Sequence, residues 1–178
     1  VVIDLGCGPG LFLRDLARRD PSTSLYGYDV TAAMIAYAQG LAWPGATPTL
    51  LLHDVTAAPL PHAAGAVDLV SMTSVLHVLD EPLPVLAEIR RVLAPQGLFL
   101  FHDWTRQPLQ SYLAWRRDGL GETGPEHLGR AFRLFPVHNK YTSEDWQWLL
   151  AEAGFAIRHQ AALRQSHRMF VATAAAAG

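Results

Sequence analysis

Apolar residues change their spacing along this chain in a repeating order. Residues 1–5 form a short apolar run of the kind a buried strand gives, and Leu13, Leu16 and Ala17 then follow at the i, i+3, i+4 interval of a helix face. Arg18 and Arg19 suit the C-terminus of that helix, and Asp20-Pro21 ends it. Residues 24–30 read as a second strand, after which Thr31 is placed to cap a helix through Ala32, Met34, Ile35 and Ala38 that Gly40 closes. Residues 49–55 and 67–74 give a third and fourth strand. The crossover between them is too broken by Pro59, Pro61 and Gly65 for a long helix. Leu83, Leu86, Ile89 and Leu93 restore a helical stripe, Pro95-Gln96-Gly97 predicts a turn, and residues 98–102 a fifth strand. Strands alternating with helices predict right-handed crossovers, a parallel sheet covered on both faces, and a binding crevice outside the carboxyl ends of the strands. Asp4, Asp29, Asp54, Met72 and Asp103 fall at those ends.

The pattern loosens over residues 104–140, where Trp115, Arg116, Arg117, Gly119, Gly121 and Gly124 share a mixed stretch that predicts one or two helices. This stretch is read as a substrate-side insertion. Thr142 then caps a helix containing Trp146, Leu149 and Leu150, and residues 156–163 and 168–173 predict a closing strand pair. With no repeat and no interdomain linker, the 178 residues are expected to form one domain, and a hydrophobic content of 50% suffices for its core. The chain opens on a strand without a methionine, which predicts a further segment upstream. The alanine-rich residues 174–178 are expected to fray.

Charge narrows the partners. Charged residues make up 17% and the net charge is -2, so no broad basic field attracts a nucleic-acid backbone or an anionic membrane, and neither is expected as a partner. The opening Val1-Val2-Ile3 is cut by Asp4 and is far too short to span a bilayer. Cys7 is the only cysteine, which excludes an intramolecular disulfide and fits a reducing compartment, with the cytoplasm as the expected location.

The chemistry concentrates at the first strand. Gly6-Cys7-Gly8-Pro9-Gly10 joins strand to helix, and three glycines in five residues let the backbone turn tightly and approach a ligand. Asp29 follows Gly10 by about the 20 residues at which a carboxylate reaches a ribose. A dinucleotide fingerprint needs a third small residue where this chain has Leu11. S-adenosylmethionine carries no phosphate; its ammonium suits Asp4 and loop carbonyls, and its carboxylate suits the N–H groups at a helix start.

The run Val2-Ile3-Asp4-Leu5-Gly6-Cys7-Gly8-Pro9-Gly10 resembles motif I of class I S-adenosylmethionine-dependent methyltransferases of the small-molecule type. Tyr26-Gly27-Tyr28-Asp29-Val30 is similar to the family's ribose-binding segment and His53-Asp54-Val55 to its adenine-side segment. Val67-Asp68-Leu69-Val70, Leu76-His77 and Asp80-Glu81-Pro82 resemble its fourth-strand region, and residues 91–97 the turn before its fifth strand. The resemblance implies a Rossmann-like three-layer α/β/α sandwich on a mostly parallel seven-stranded sheet with an antiparallel last strand. It implies that Asp4 and the loop Gly6, Cys7, Gly8, Pro9 and Gly10 hold the methionine moiety and that Asp29 holds the ribose hydroxyls. Asp54 with Val55 would meet the adenine edge, and Met72 with Thr73 would lie beside the sulfonium. Tyr28, Val30, Met34 and His77 complete the expected cofactor contacts.

A base is needed only for some methyl acceptors, since holding the acceptor in line supplies much of the acceleration. His77, His102 and His138 are the candidate catalytic residues, each also explicable as a packing or loop-bonding histidine. No metal is expected, because catechol-type relatives place an aspartate where this chain has Met72. Trp104, Tyr112, Trp115, Phe132, Phe135, Tyr141, Trp146 and Trp148 suit either an apolar core or the pocket of a small aromatic or apolar acceptor. Two rivals stay open: a nicotinamide-dependent oxidoreductase, and a catalytically silent binding module of the same fold.

Overall fold

Strand β1 (Val2–Leu5) alternates its side chains between two separate cores. Val2 packs with Cys7, Leu13, Leu25, Ile35 and Leu50, whereas Ile3 and Leu5 face the cluster of Val70, Met72, Leu86, Ile89, Phe101 and Trp146. Each face of the sheet therefore needs its own layer of helices. The computed structural model, which describes residues 1–164 and 166–175, supplies them. Along the chain come α1 (Leu11–Arg19), β2 (Leu25–Asp29), α2 (Ala32–Gln39), β3 (Thr49–Leu52) and β4 (Val67–Thr73). A short 3-10 helix (Leu76–Val78) precedes α3 (Pro82–Val92) and β5 (Leu93–Trp104). Then follow α4 (Leu109–Leu120), α5 (Pro125–His138), α6 (Ser143–Glu152), β6 (Phe155–Arg164) and β7 (His167–Ala174).

The seven strands form one sheet in the order β3-β2-β1-β4-β5-β7-β6. The first five are parallel, and β7 runs antiparallel to both β5 and β6. The order reverses beside β1, where β2 and β4 flank it, so the ends of β1, β2 and β4 open onto one crevice. Helix α1 and α2 cover the Val2 face, and α3 and α6 the Ile3 face. A third, smaller cluster of Trp104, Tyr112 and Ala131 joins α4 and α5 to the end of β5.

Two local expectations are corrected. Pro95-Gln96-Gly97 does not separate helix from strand: β5 starts at Leu93, and its register against β4 jumps from Val67↔Leu93 to Leu69↔Leu98, so these residues bulge within a continuous strand. Gly97 fits there because a side chain would meet the Val67 carbonyl oxygen at 2.8 Å. Thr31 sits at the N-cap of α2, but its hydroxyl makes no cap bond; Asp29 Oδ1 instead accepts the Thr31 N–H at 2.8 Å. Helix α6 is capped as expected, with Asp145 N–H donating to Thr142 Oγ1 and Thr142 N–H to Asp145 Oδ2. Of the tail expected to fray, Ala174 ends β7 and Ala175 N–H donates to the Gly154 carbonyl, while residues 176–178 lie outside the described residues.

Candidate active site

The glycine loop is held from two sides. Gly6, Gly8 and Gly10 adopt φ of 68°, 52° and 77°, where an L side chain is strained. Gly6 has a second constraint, because a Cβ would lie 2.3 Å from Val75 Cγ2. From the β2 side, the Tyr28 carbonyl accepts the N–H groups of both Gly6 and Cys7 at 2.8 and 3.0 Å. Asp29 then uses both oxygens: Oδ2 accepts the Gly8 N–H and Oδ1 the Thr31 N–H, each at 2.8 Å. Its carboxylate thus ties the loop to the start of α2, and each oxygen keeps acceptor capacity for a further donor.

A cavity of about 350 Å³ opens in front of this arrangement. Of the residues expected at the cofactor, Gly6, Gly8, Tyr28, Asp29, Val30, Met34, Asp54, Val55, Met72 and Thr73 line it. Tyr28 is fixed by a 2.7 Å hydrogen bond between its hydroxyl and His62 Nε2. Asp54 is exposed and accepts both the N–H and the hydroxyl of Thr56, which hold its carboxyl below the usual range. Asp54 Oδ2 takes no part in that turn.

Five expected contacts lie off the cavity wall. Cys7 turns into the core on the α1 side, where burial pushes its thiol up to about 12. Gly10 serves as the N-cap of α1 beneath Trp43, and Pro9 is not on the wall. Asp4 points to the Val2 face, under the loop, and accepts the Ser71 hydroxyl at 2.6 Å. Burial, opposed by that bond and helped by the Asp29 charge, raises its carboxyl to about 7. His77 also faces away: the wall runs through Val75, Val78 and Leu79 and skips it.

Val75, Val78 and Leu79 were not expected from the sequence, nor were Leu5, Thr31, Thr56 and Ser74, and His53 was placed only within the adenine-side segment. Ser74 carried no signal that composition reveals, yet it has φ of 56°, the only positive φ outside glycine among the described residues. Its N–H donates to the His102 carbonyl at 2.7 Å. That bond holds a strained residue at the cavity edge, a common property of functional loops.

The three candidate catalytic histidines belong to a cluster beside this cavity. His77 Nδ1 lies 2.7 Å from Asp103 Oδ1, off the in-line hydrogen-bond geometry, and its backbone N–H donates to Asp103 Oδ2 at 3.1 Å. His138 stacks on Trp104 with ring centroids 4.0 Å apart and shares a 2.9 Å hydrogen bond between Nδ1 and the Tyr112 hydroxyl. Desolvation, with nearby His77 and Arg116 charge, lowers it to about 4. His102 stacks on His167, and burial lowers both, His167 to about 4. None of His77, His102 and His138 lines the 350 Å³ cavity. Among the described residues no cluster of His, Cys, Asp and Glu is placed to hold a metal ion, and no helix is long and apolar enough to cross a membrane.

Known proteins share these features. The profile of the family described as "Methyltransferase domain" matches residues 3–101, from β1 through most of β5. A malonyl-[acyl-carrier protein] O-methyltransferase from Legionella pneumophila is 35% identical over 105 residues, 56% of this chain and 34% of that protein. The enzyme of the same name from Geobacter sulfurreducens is 31% identical over 157 residues, 86% of this chain and 55% of that protein. The chain thus spans between about a third and just over half of these relatives. In fold it is similar to the crystal structure of a SAM-dependent methyltransferase from Aquifex aeolicus, with a TM-score of 0.69 at 23% identity, covering 97% of this chain and 81% of that one.

Proposed function

Because the chain belongs to the S-adenosylmethionine-dependent methyltransferase domain family, we propose that the protein methylates a small-molecule acceptor with an apolar or aromatic body. The observation that carries this reading is the cavity lined by Gly8, Asp29, Asp54 and Met72 at the ends of β1, β2, β3 and β4. Its chemistry fits the cofactor: acceptors dominate its polar wall, no side chain occupies the space in front of Gly8, and Met72 gives an apolar floor. Asp29 would hold the ribose hydroxyls on its remaining lone pairs, Asp54 and Val55 the adenine edge, and the N–H groups at the start of α1, after Gly10, the carboxylate. Thr73 and Ser74 would border the reacting carbon.

The bound cofactor supplies an electrophilic methyl group. The protein's part is then to orient the acceptor in line and exclude water. Val75, Val78 and Leu79 form the apolar wall suited to excluding it. None of His77, His102 and His138 reaches the cavity, and His53, which does, is engaged through Nε2 with the Ala58 carbonyl at 3.1 Å, so the reading favours an acceptor atom that is already nucleophilic, such as a carboxylate oxygen or an unprotonated amine. His77, His102 and His138 are assigned instead to holding the loop after β4 and the end of β5 against α4 and α5. The 104–140 stretch remains the proposed acceptor side.

Calorimetric titration with S-adenosylhomocysteine tests the cofactor assignment. Wild-type protein is expected to bind it in preference to NAD, and Asp29→Ala to bind at least about thirtyfold more weakly, having lost a charge-assisted contact. The same variant should unfold at lower temperature, because the Gly8 and Thr31 N–H groups lose their acceptor. Undiminished affinity in Asp29→Ala, or tighter NAD binding by the wild type, overturns the assignment.

A further inference from the structure

A second cavity, of about 660 Å³, lies between α4 and α5 and shares no lining residue with the cofactor cavity. Its floor is apolar, from Leu113, Ala114, Leu128 and Ala131, and its size is that of a small-molecule site. At one end stands Arg116, a cation only 4% exposed. Burying a guanidinium to that degree is expensive unless its donors are matched. Arg116 Nη1 donates to the Tyr112 hydroxyl at 3.0 Å, and Nη2 lies 2.5 Å from Glu122 Oε2, but Nε has no partner. Nε and Nη2 point along the same edge of the guanidinium, the edge that a carboxylate engages with two parallel bonds. Here Glu122 meets that edge at Nη2 only, as an ion pair off hydrogen-bond geometry, so Glu122 Oε2 is left without a hydrogen-bond partner as well.

The way Glu122 is held matters as much. It sits in the four-residue connection Gly121-Glu122-Thr123-Gly124, whose two glycines have φ of 67° and 95° and nothing within 4 Å of the position a Cβ would take. The backbone of the connection is tied at its start, where the Gly121 and Glu122 N–H groups donate to the Arg117 and Arg116 carbonyls at 3.1 and 3.2 Å, so what can give way is the Glu122 side chain. The carboxylate that neutralises Arg116 is therefore carried by a half-buried side chain at the end of α4, where rotation about its own bonds suffices to release the guanidinium. Arg117 and His127 also line the cavity, with Arg117 already paired to Asp118 at 2.7 Å, which leaves Arg116 as its buried cation.

We propose that this cavity binds an apolar carboxylic acid, whose carboxylate displaces Glu122 and takes both Nε and Nη2 of Arg116 while its hydrocarbon body lies on Leu113, Ala114, Leu128 and Ala131. Glu122 is then an internal stand-in that keeps the guanidinium paired when no ligand is present. The use of this site as an anchor for the methyl acceptor rests on the methyltransferase reading; carboxylate binding itself does not. As an anchor it suits an elongated acceptor, since α5 runs from Leu128 to His138, about 15 Å, before reaching the 3-10 helix that carries Val78 of the cofactor wall.

The test uses octanoate, with octanol as its neutral counterpart, titrated into the full chain alongside S-adenosylhomocysteine. Octanoate is expected to bind and octanol not. Glu122→Gln should bind octanoate about tenfold more tightly, because the internal competitor has lost its charge. Arg116→Lys should lose the two-bond contact and bind it at least about tenfold more weakly, with unchanged affinity for S-adenosylhomocysteine. Equal binding of octanol and octanoate, or no gain in Glu122→Gln, overturns the proposal while leaving the cofactor assignment standing. Failure to bind S-adenosylhomocysteine with octanoate binding intact overturns the methyltransferase reading and keeps the carboxylate site.

Discussion

The cofactor side and the aromatic side of this molecule are held together by different kinds of bond. Around the glycine loop the decisive contacts are all made by backbone N–H groups: those of Gly6 and Cys7 on the Tyr28 carbonyl, those of Gly8 and Thr31 on the Asp29 carboxylate. Around Trp104 most are side chain on side chain, although Asp103 also accepts the backbone N–H groups of His77 and Trp104. Asp103 meets His77, His138 stacks on Trp104 and bonds Tyr112, and Tyr112 passes the contact on to Arg116 and Glu122. A backbone-built site depends on φ and steric clearance, and a side-chain network on desolvation and pairing. The two should fail under different perturbations.

The sharpest way to break the comparison is to add one methyl group on each side. Gly6→Ala places a residue in the left-handed region, at about 1–2 kcal/mol, and drives its Cβ into Val75. The loop must shift, taking two N–H groups off Tyr28. Affinity for S-adenosylhomocysteine is expected to fall by about a hundredfold or more, some 2.7 kcal/mol. Gly121→Ala, also at positive φ but with open space around it, should cost conformational strain alone and leave that affinity unchanged. Equal losses in the two variants, read by calorimetry, would show that strain on the α4–α5 side reaches the glycine loop and that the two sides do not fail separately.

The same difference explains what could be read from the residues alone. The succession of strands and helices, the loop and Asp29 were legible because short-range pattern dictates them: alternating side chains, glycine at positive φ, a carboxylate at a strand end. The positions of Asp4 and Cys7 were not. Both sit in the glycine-loop motif, but the two-residue period of β1 turns Asp4 under the loop, and Cys7 packs into the α1 core. Nor was the aromatic side legible. Asp103 and His77 are distant in sequence, as are Arg116 and His138, and their partners are fixed only by how α4 and α5 settle on β5. The bulge at Pro95 to Gly97 was hidden for a related reason, since a turn signal does not reveal whether pairing resumes on the same strand.

The two sides should also respond to pH with opposite sign. Asp4 is raised to about 7, so the folded state holds a proton that the unfolded chain releases near 3.8. Stability from this residue is full below pH 3.8 and is lost as pH rises to 7, at about 1.4 kcal/mol for each pH step of one across that window. His138 and His167 are lowered to about 4, so the unfolded chain takes up protons near 6.5 that the fold refuses. Their contribution is present above pH 6.5 and is lost as pH falls to 4. In the wild type the two slopes oppose each other across this window. Asp4→Asn removes only the first, so denaturant titrations should show its stability falling more steeply than wild type between pH 6.5 and 4. A slope identical to wild type would mean that Asp4 is ionised in the fold.

The smallest expected effect is the one that isolates the aromatic side. Tyr112 is fully buried, and its hydroxyl stands between His138 Nδ1 and Arg116 Nη1. Tyr112→Phe keeps the ring, its packing against Trp115 and Phe135, and the volume of the cluster, but leaves both nitrogens without that partner. The loss of stability should be about 1–3 kcal/mol, the cost of stranding buried polar groups. No backbone contact of the glycine loop passes through Tyr112, so affinity for S-adenosylhomocysteine should stay within about twofold, below 0.5 kcal/mol. A fall in cofactor affinity that tracks the fall in stability would show that His138 transmits the loss through His77 to the loop after β4. The two sides would then be one coupled site, and their different chemistry a difference of materials only.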